Sequence, residues 1–449
     1  MSGLRDHLLA RLEHHDLACH YGRVRKVSPT HIEATGPAGK IGSLCRITAA
    51  SATTGNDGGH SVDDGAVDAQ IVAIENDHIV LVPLQNSASI SPHARVTGHC
   101  AANDLCSTAS AGRALDALGR PVDGQGPLAS DKTDPIPIMP EALRRISSGR
   151  PLRTGICAID LFTALAEGQR IGIFAPAGVG KTSLIGQIVR QADVDRVVIC
   201  LVGERGHEAH GMWQMCQTMD VPQRYSLIVS TSDESAALRA RAGHTALTLA
   251  EQWRARGEHV LLVVDSLTRM AMALREIGLA AGEPPTLRAY TPNVFAALPR
   301  FVERCGAVAG SGSISLIATV LAEDSEVDDP LSEMLKSVLD GHIVLSRTLA
   351  EQGLFPAIDI SRSISRQASG ILSEQARRST AEVRRLFAVY EDSRTLVESG
   401  VYRKGSNAEL DRAVALRDRL RAFLTQPRED NRPVETAVQE LGALLEQAA

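Results

Sequence analysis

Apolar spacing changes character along the chain, and each change marks a different kind of structure. At the start Leu4, Leu8, Leu9 and Leu12 recur at helical spacing among Arg5, Asp6, Arg11 and Glu13, which predicts a short amphipathic helix over 1–20. From 21 to 97 the apolar runs become short and alternate with turn-rich stretches such as Thr-Gly-Asn-Asp-Gly-Gly at 54–59. Strands are expected at 22–27, 31–35, 44–47, 67–74 and 79–83, a spacing that suits a small sandwich or barrel. Tight-turn signals at 112–116 and 119–124 follow, then Pro127, Pro135, Pro137, Pro140 and Pro151 mark an extended connector. From about 150 to 372 apolar strands alternate with helical stretches, the pattern of an open, mostly parallel α/β sheet. Its strands are expected around Ile171, Ile173 and Phe174 and at 196–203, 226–230, 260–265, 313–321 and 342–345. Beyond 373 the chain reads as wholly helical, with Leu386, Val389 and Tyr390, then Leu410, Val414 and Leu420, on apolar faces. The expected division is therefore 1–20, 21–97, 98–372 with its connector, and 373–449.

Composition narrows the class. The 449 residues are 44% hydrophobic and 22% charged, and no apolar run approaches membrane-span length, so a soluble globular protein is expected. The first helix lacks the continuous apolar core and cleavage site of a signal peptide. Its leucine stripe has three possible uses: a partner, a membrane, or its own domain. A net charge of -6 argues against nucleic acid as the main partner. Eight scattered cysteines without a C-x-x-C suit a reducing compartment. His99-Cys100 with Cys106 lacks a second ligand pair, so incidental thiols are expected there, not zinc.

Chemistry concentrates between the strand ending at Ala175 and the helix expected over 182–190, whose Leu184, Ile185, Ile188 and Val189 share a face. The link Ala175-Pro176-Ala177-Gly178-Val179-Gly180-Lys181-Thr182 has a phosphate loop's glycines, lysine and hydroxyl, with Ala175 in place of its first glycine. Small residues let backbone N–H groups curl around phosphate oxygens, and the helix N-terminus adds partial positive charge. Ala177 to Ser183 should thus bind a nucleoside triphosphate. Lys181 would face the β/γ-phosphates and the Thr182 hydroxyl would ligate Mg²⁺.

Two carboxylates fall at expected strand ends. Asp265 closes the run Val260-Leu261-Leu262-Val263-Val264, where a parallel sheet opens onto its ligand crevice, so it should hold Mg²⁺ or its waters. Asp265-Ser266 also precedes a helix, so an N-cap role is open beside it. Glu204 follows Gly203 and could orient a water for attack on the γ-phosphate. Position alone makes a charged turn residue equally good.

Gly203-Glu204-Arg205-Gly206-His207-Glu208 resembles the G-E-R-x-R-E signature of rotary ATPase catalytic subunits and their secretion relatives. From about residue 20 onward the chain resembles the ATPases of bacterial type III secretion systems, in the family of the flagellar export ATPase and the ATP synthase β subunit. The stretches that carry this are Pro151-Leu152-Arg153-Thr154-Gly155, the phosphate loop with Ala175, Asp265-Ser266-Leu267-Thr268-Arg269, 275–285, 339–347 and Pro356-Ala357-Ile358-Asp359. The resemblance implies an N-terminal β-barrel, a central RecA-like nucleotide domain and a C-terminal helical domain, assembled as a homohexameric ring that hydrolyses ATP to drive protein export. It makes Glu204 the catalytic glutamate, Lys181 and Thr182 the phosphate and Mg²⁺ contacts, Asp265 the second acid of the Mg²⁺ site, and Phe355 the aromatic on adenine. Arg205 would adjoin the nucleotide. Arg366, in Ser363-Ile364-Ser365-Arg366, becomes the arginine finger reaching a neighbouring subunit. His207 replaces the signature's second arginine, the strand at 313–321 lacks a usual aromatic pair, and Gln367-Ala368-Ser369 is less apolar than usual.

The resemblance also implies partners: a stator protein at the N-terminal helix, and a central stalk in the ring lumen near 282–291 and the acidic Glu323, Asp324, Glu326, Asp328 and Asp329. Secretion chaperones and export substrates would meet the C-terminal domain, at the cytoplasmic face of the bacterial inner membrane. On charge alone the acidic loop reads better as solvated, and only the resemblance makes the stalk contact an equal reading. Alternative readings are a rotary proton-translocating ATPase subunit, a hexameric RNA translocase and a non-catalytic ring component. The secretion-type Ala175 and Glu283-Pro284-Pro285 oppose the first, the lack of an aromatic-basic platform in 21–97 the second, and Glu204 the third.

Overall fold

A computed structural model describes residues 21–48, 66–85, 90–98, 108–128, 140–147, 149–322 and 329–447. The N-terminal amphipathic stretch, the turn at 54–59, His99, Cys100 and Cys106, Pro135 and Pro137, and the acidic residues 323–328 lie outside the described residues. Two compact units emerge: one combines the N-terminal region with 233–241 and 271–294, and the other comprises 106–232, 242–270 and 295–449.

In the first unit six antiparallel strands close into a barrel: β1 (Tyr21–Val27), β2 (Ile32–Ala34), β3 (Leu44–Thr48), β4 (Val67–Ile74), β5 (Ile79–Pro83) and β6 (Arg95–Gly98), in the order β1-β2-β5-β4-β3-β6. Alternation decides which side chains go inside: Val24, Ile32, Ile47, Ile71, Leu81 and Val96 are buried together. Gly22 is required where β1 meets the turn at Gly36, because a Cβ there would lie 2.1 Å from the Gly36 carbonyl oxygen.

The second unit is built on a sheet containing β7 (Ala114–Asp116), β8 (Arg170–Ala175), β9 (Arg196–Glu204), β10 (Tyr225–Thr231), β11 (His259–Asp265), β12 (Ser313–Leu321), β13 (Gly341–Val344) and β14 (Ile364–Ser365). Their order is β14-β13-β8-β12-β11-β9-β10-β7. Every pairing along this path is parallel except β13 with β14. Residues 112–116, expected as a tight turn, instead include β7, which pairs with β10 at the sheet edge. Three residues carry too little periodicity to announce a strand.

Helix α1 (Lys181–Gln191) buries Leu184, Ile185, Ile188 and Val189, as their spacing predicts. The tail forms α5 (Glu374–Glu398), α6 (Ala408–Leu424) and α7 (Val434–Glu446), after α2 (Gly206–Gln217), α3 (Ala236–Ala255) and α4 (Leu267–Ala280). Leu386, Tyr390, Leu410 and Leu420 are buried, and Val389 is half-buried. Val414 departs from expectation at 39% exposed, because the buried stripe of α6 runs through Leu410, Ala413, Leu416, Leu420 and Phe423. These helices and the sheet share one core, in which Val383, Leu416 and Leu441 join Ile156, Ile159 and Phe162. The described cysteines Cys45, Cys157, Cys200, Cys216 and Cys305 are free and buried. Among the described residues no helix is long and apolar enough to cross a membrane.

Candidate active site

The site lies at the carboxyl ends of β8, β11 and β9. Gly178 and Gly180 adopt φ of 82° and 90° between β8 and α1, a left-handed backbone that a side chain would strain. That turn delivers Lys181 as the first residue of α1, with its Nζ 2.5 Å from Asp265 Oδ1 and 3.8 Å from Glu204 Oε1. Asp265 ends β11 opposite Leu201 of β9, and Glu204 lies three residues farther along β9. Two carboxylates and the loop lysine are thereby brought together from segments far apart in sequence.

Asp265 is 2% exposed, and its Oδ1 also accepts a hydrogen bond from the Thr319 hydroxyl of β12 at 2.6 Å. Its carboxylate therefore faces the lysine. The side-chain bond at the start of α4 comes from Ser266, whose Oγ accepts from Arg269 N at 3.3 Å. Glu204 is 5% exposed, with Arg269 Nη2 3.2 Å from its Oε2, while Arg269 Nη1 donates to the Gly203 carbonyl. Glu204 Oε1 is buried without a hydrogen-bond partner among the described residues.

Burial raises the Glu204 pKa from 4.5 to about 7, and the neighbouring Asp265 charge adds to it. Lys181 and Arg269 pull the other way, but their attraction does not offset desolvation. A carboxyl poised near neutrality with one oxygen unsatisfied can accept a proton from a water molecule.

Other expected residues are distributed as follows. The ring of Phe355, 43% exposed, adjoins the phosphate loop: a Cβ on Gly180 would lie 3.3 Å from its Cε1. The Phe355 carbonyl accepts from Gln426 N at 2.8 Å. Ser183 Oγ accepts from Arg428 Nη2 at 2.8 Å. Arg205 is exposed at the start of α2, and neither it nor Thr182 makes a side-chain hydrogen bond or ion pair among the described residues. His207 is exposed, with its Nε2 4.0 Å from Glu208 Oε1. Arg366 directly follows β14, the edge strand opposite β7. It is exposed, and among the described residues its guanidinium has no partner. It is thus not drawn into the Lys181, Glu204 and Asp265 cluster of its own chain.

Sequence reasoning missed Thr319, Arg269, Gln426 and Arg428. Thr319 is one of three hydroxyl residues in β12, with Ser313 and Ser315, so the strand's pattern did not single it out. Arg269 stood inside the Asp265–Arg269 motif without a role. Nothing local pointed to the other two.

Known proteins resemble this chain over most of its length. A model of the ATP synthase alpha/beta family nucleotide-binding domain matches residues 155–365, and one of the T3SS EscN ATPase C-terminal domain matches 372–443. The flagellum-specific ATP synthase of Bacillus subtilis (strain 168) is 38% identical over 94% of this chain and 95% of its own length. The type 3 secretion system ATPase of Xanthomonas euvesicatoria is 39% identical over 95% of each. Assembled EscN, the ATPase of the enteropathogenic E. coli type III secretion system, superposes with a TM-score of 0.84 at 33% identity, over 94% of this chain and 100% of that one. EscN in complex with its central stalk EscO gives 0.80 at 32% identity, with the same coverage. The chain belongs to the family of type 3 secretion system ATPases and flagellum-specific ATP synthases, and is an ATP-hydrolysing enzyme.

Proposed function

We propose that the chain powers type III protein secretion by hydrolysing ATP in a ring of six copies, each site completed by a neighbour. The observation that carries this is the convergence of Lys181, Glu204 and Asp265 behind the phosphate loop. In this reading the loop amides and Lys181 hold the triphosphate, Ala177 to Ser183 line it, and Phe355 forms a wall for adenine. Arg205 lies at the rim. Glu204 orients the attacking water and takes its proton as the water oxygen bonds to the γ-phosphorus and the bond from that phosphorus to the ADP oxygen breaks.

The oxygen donors of Thr182 and Asp265 suit a hard cation that keeps most of its waters, which fits Mg²⁺. Bound there with the nucleotide, the ion would neutralise phosphate charge. Asp265 already carries Lys181 and Thr319 on one oxygen, so the acid is held in place before any ligand arrives. Arg366 acts in trans, and its exposure beyond an edge strand supports that role.

EscN is known in complex with a central stalk, and in this chain 282–291 and the acidic segment ending at Asp329 are our candidates for a stalk contact. Residues 1–20 would bind a stator at the cytoplasmic face of the inner membrane, and the helical tail would receive chaperones and export substrates. No nucleic acid is involved.

The test compares two variants. Glu204→Gln should bind ATP with near-unchanged affinity and lose turnover, because an interaction confined to the transition state has gone. Lys181→Ala should weaken both. Wild-type turnover in Glu204→Gln would remove it from the catalytic role.

A further inference from the structure

Arg366 can serve a neighbour only if the loop that carries it is held still. Three residues upstream, Ser363 is fully buried, its Oγ donating to the Asp359 carbonyl at 2.6 Å and accepting from Val344 N at 3.0 Å. Ser365 Oγ donates to the Ala164 carbonyl at 2.8 Å and lies 3.0 Å from Gln169 Nε2. Arg366 N donates to the Asp340 carbonyl at 3.0 Å, and the Asp340 carboxylate is itself gripped by Arg170 at 2.9 and 3.0 Å. Apart from the local bond to Asp359, these ties run to the sheet and to residues just before its strands.

The helical tail adds ties on either side of the finger: beyond it, Arg377 Nη1 donates to the Ser369 carbonyl at 3.4 Å, and before it a second arginine acts. Arg384, on α5 of the helical tail, directs Nη2 at both the Phe162 carbonyl, 2.7 Å away, and the Ser363 carbonyl, 3.2 Å away. Among the described residues it makes no ion pair. A half-buried guanidinium spent on two main-chain carbonyls is costly, since its charge is desolvated without a carboxylate in contact. Simple packing of α5 would be served as well by an aliphatic side chain.

We infer that Arg384 is a positioning residue for the finger: it pins the Ser363 carbonyl from the helical tail, and so fixes where Arg366 emerges toward the neighbouring subunit. The inference rests on the proposed trans role of Arg366. It differs from that role in predicting that Arg384 matters to the donor of the finger and not to the site on its own chain.

The experiment uses full-length protein in assembled rings. Arg384→Met should keep nucleotide affinity within about twofold and lose about 10²-fold in turnover, the scale on which a misplacement near 1 Å acts. Arg384→Lys, which retains a charged donor, should recover part of it. Mixed rings then separate the possibilities by single-turnover hydrolysis. Arg384→Met mixed with Glu204→Gln should regain activity, because an intact Glu204 site borrows a well-held Arg366 from its neighbour. Arg384→Met mixed with Arg366→Ala should not, because no subunit offers an ordered finger. Arg366→Ala with Glu204→Gln is the control.

If the control recovers and Arg384→Met with Glu204→Gln stays dead, Arg384 acts within its own subunit and the inference is wrong while the finger stands. If rings form and the control fails, the trans role of Arg366 falls and takes the inference with it. Wild-type turnover in Arg384→Met overturns it outright. Should Arg384→Met not fold, Arg384→Gln, which keeps one donor, goes through the same mixtures, and recovery or silence there counts in the same way.

Discussion

Replacing Glu204 with glutamine should silence the enzyme and, at the same time, make its nucleotide-free form harder to melt. The unfolded chain ionises this carboxyl near 4.5, whereas the folded site holds its proton until about pH 7. A raised carboxyl pKa favours the unfolded state as pH climbs between those values. The penalty is absent below about 4.5 and complete above about 7. The gap between 4.5 and about 7, at about 1.4 kcal/mol per pH unit, makes the cost about 3.5 kcal/mol. Glutamine resembles the protonated acid and escapes it. On a unit of roughly 300 residues, with an unfolding entropy of about 2.1 cal/mol/K per residue, that corresponds to about 5–6 °C in Tm. Calorimetric melts of both proteins without nucleotide should show the variant higher at pH 8.5, the difference shrinking through neutrality and vanishing near pH 4.5. A difference that does not change with pH, or a variant that melts lower at pH 8.5, would refute the account of Glu204 as a carboxylate desolvated beside Asp265.

The same protonation should appear in kinetics, with kcat/KM falling on the acid side around an apparent pKa of about 7, and the Glu204→Gln residual activity lacking that limb. Thr319→Val keeps the volume at a fully buried position but removes the hydroxyl donated to Asp265, and should cost about 2 kcal/mol in urea unfolding. Gly180→Ala should fold but bind nucleotide at least about tenfold more weakly in a fluorescent-analogue titration. Its φ of 90° disfavours a side chain by about 1–2 kcal/mol and its Cβ would crowd Phe355.

The phosphate loop was legible because its chemistry is local: the glycines, lysine and hydroxyl are consecutive. Asp265 was legible at one remove, since an acid closing an apolar strand has a predictable place in a parallel sheet. Glu204 needed the surrounding signature, because position alone could not tell a buried carboxyl from a turn residue. Val414 shows where counting apolar residues fails: Ala413 fills the buried position beside it, and periodicity does not say which of two adjacent small residues faces the core. Ladder pairing of β7 and the bonds Arg384–Phe162, Gln426–Gly155 and Arg428–Ser183 join residues more than a hundred positions apart, in the last three cases more than two hundred. No local pattern encodes such meetings.

Gln426 has a further bearing on how this chain can be taken apart. Its buried amide accepts from Cys157 N at 3.0 Å and donates to the carbonyls of Gly155 and Asp430 at 2.7 and 2.9 Å, while its backbone holds Phe355. One side chain near the end of the chain therefore completes the hydrogen bonding of the segment that opens the nucleotide-binding match. A fragment cut after residue 372 would leave those main-chain groups to solvent and strip Ile156, Ile159 and Phe162 of the apolar cover they share with the tail. The boundary at which two family descriptions meet is a seam in the alphabet of known sequences; the molecule itself was stitched across it, and excision there yields an enzyme missing a wall.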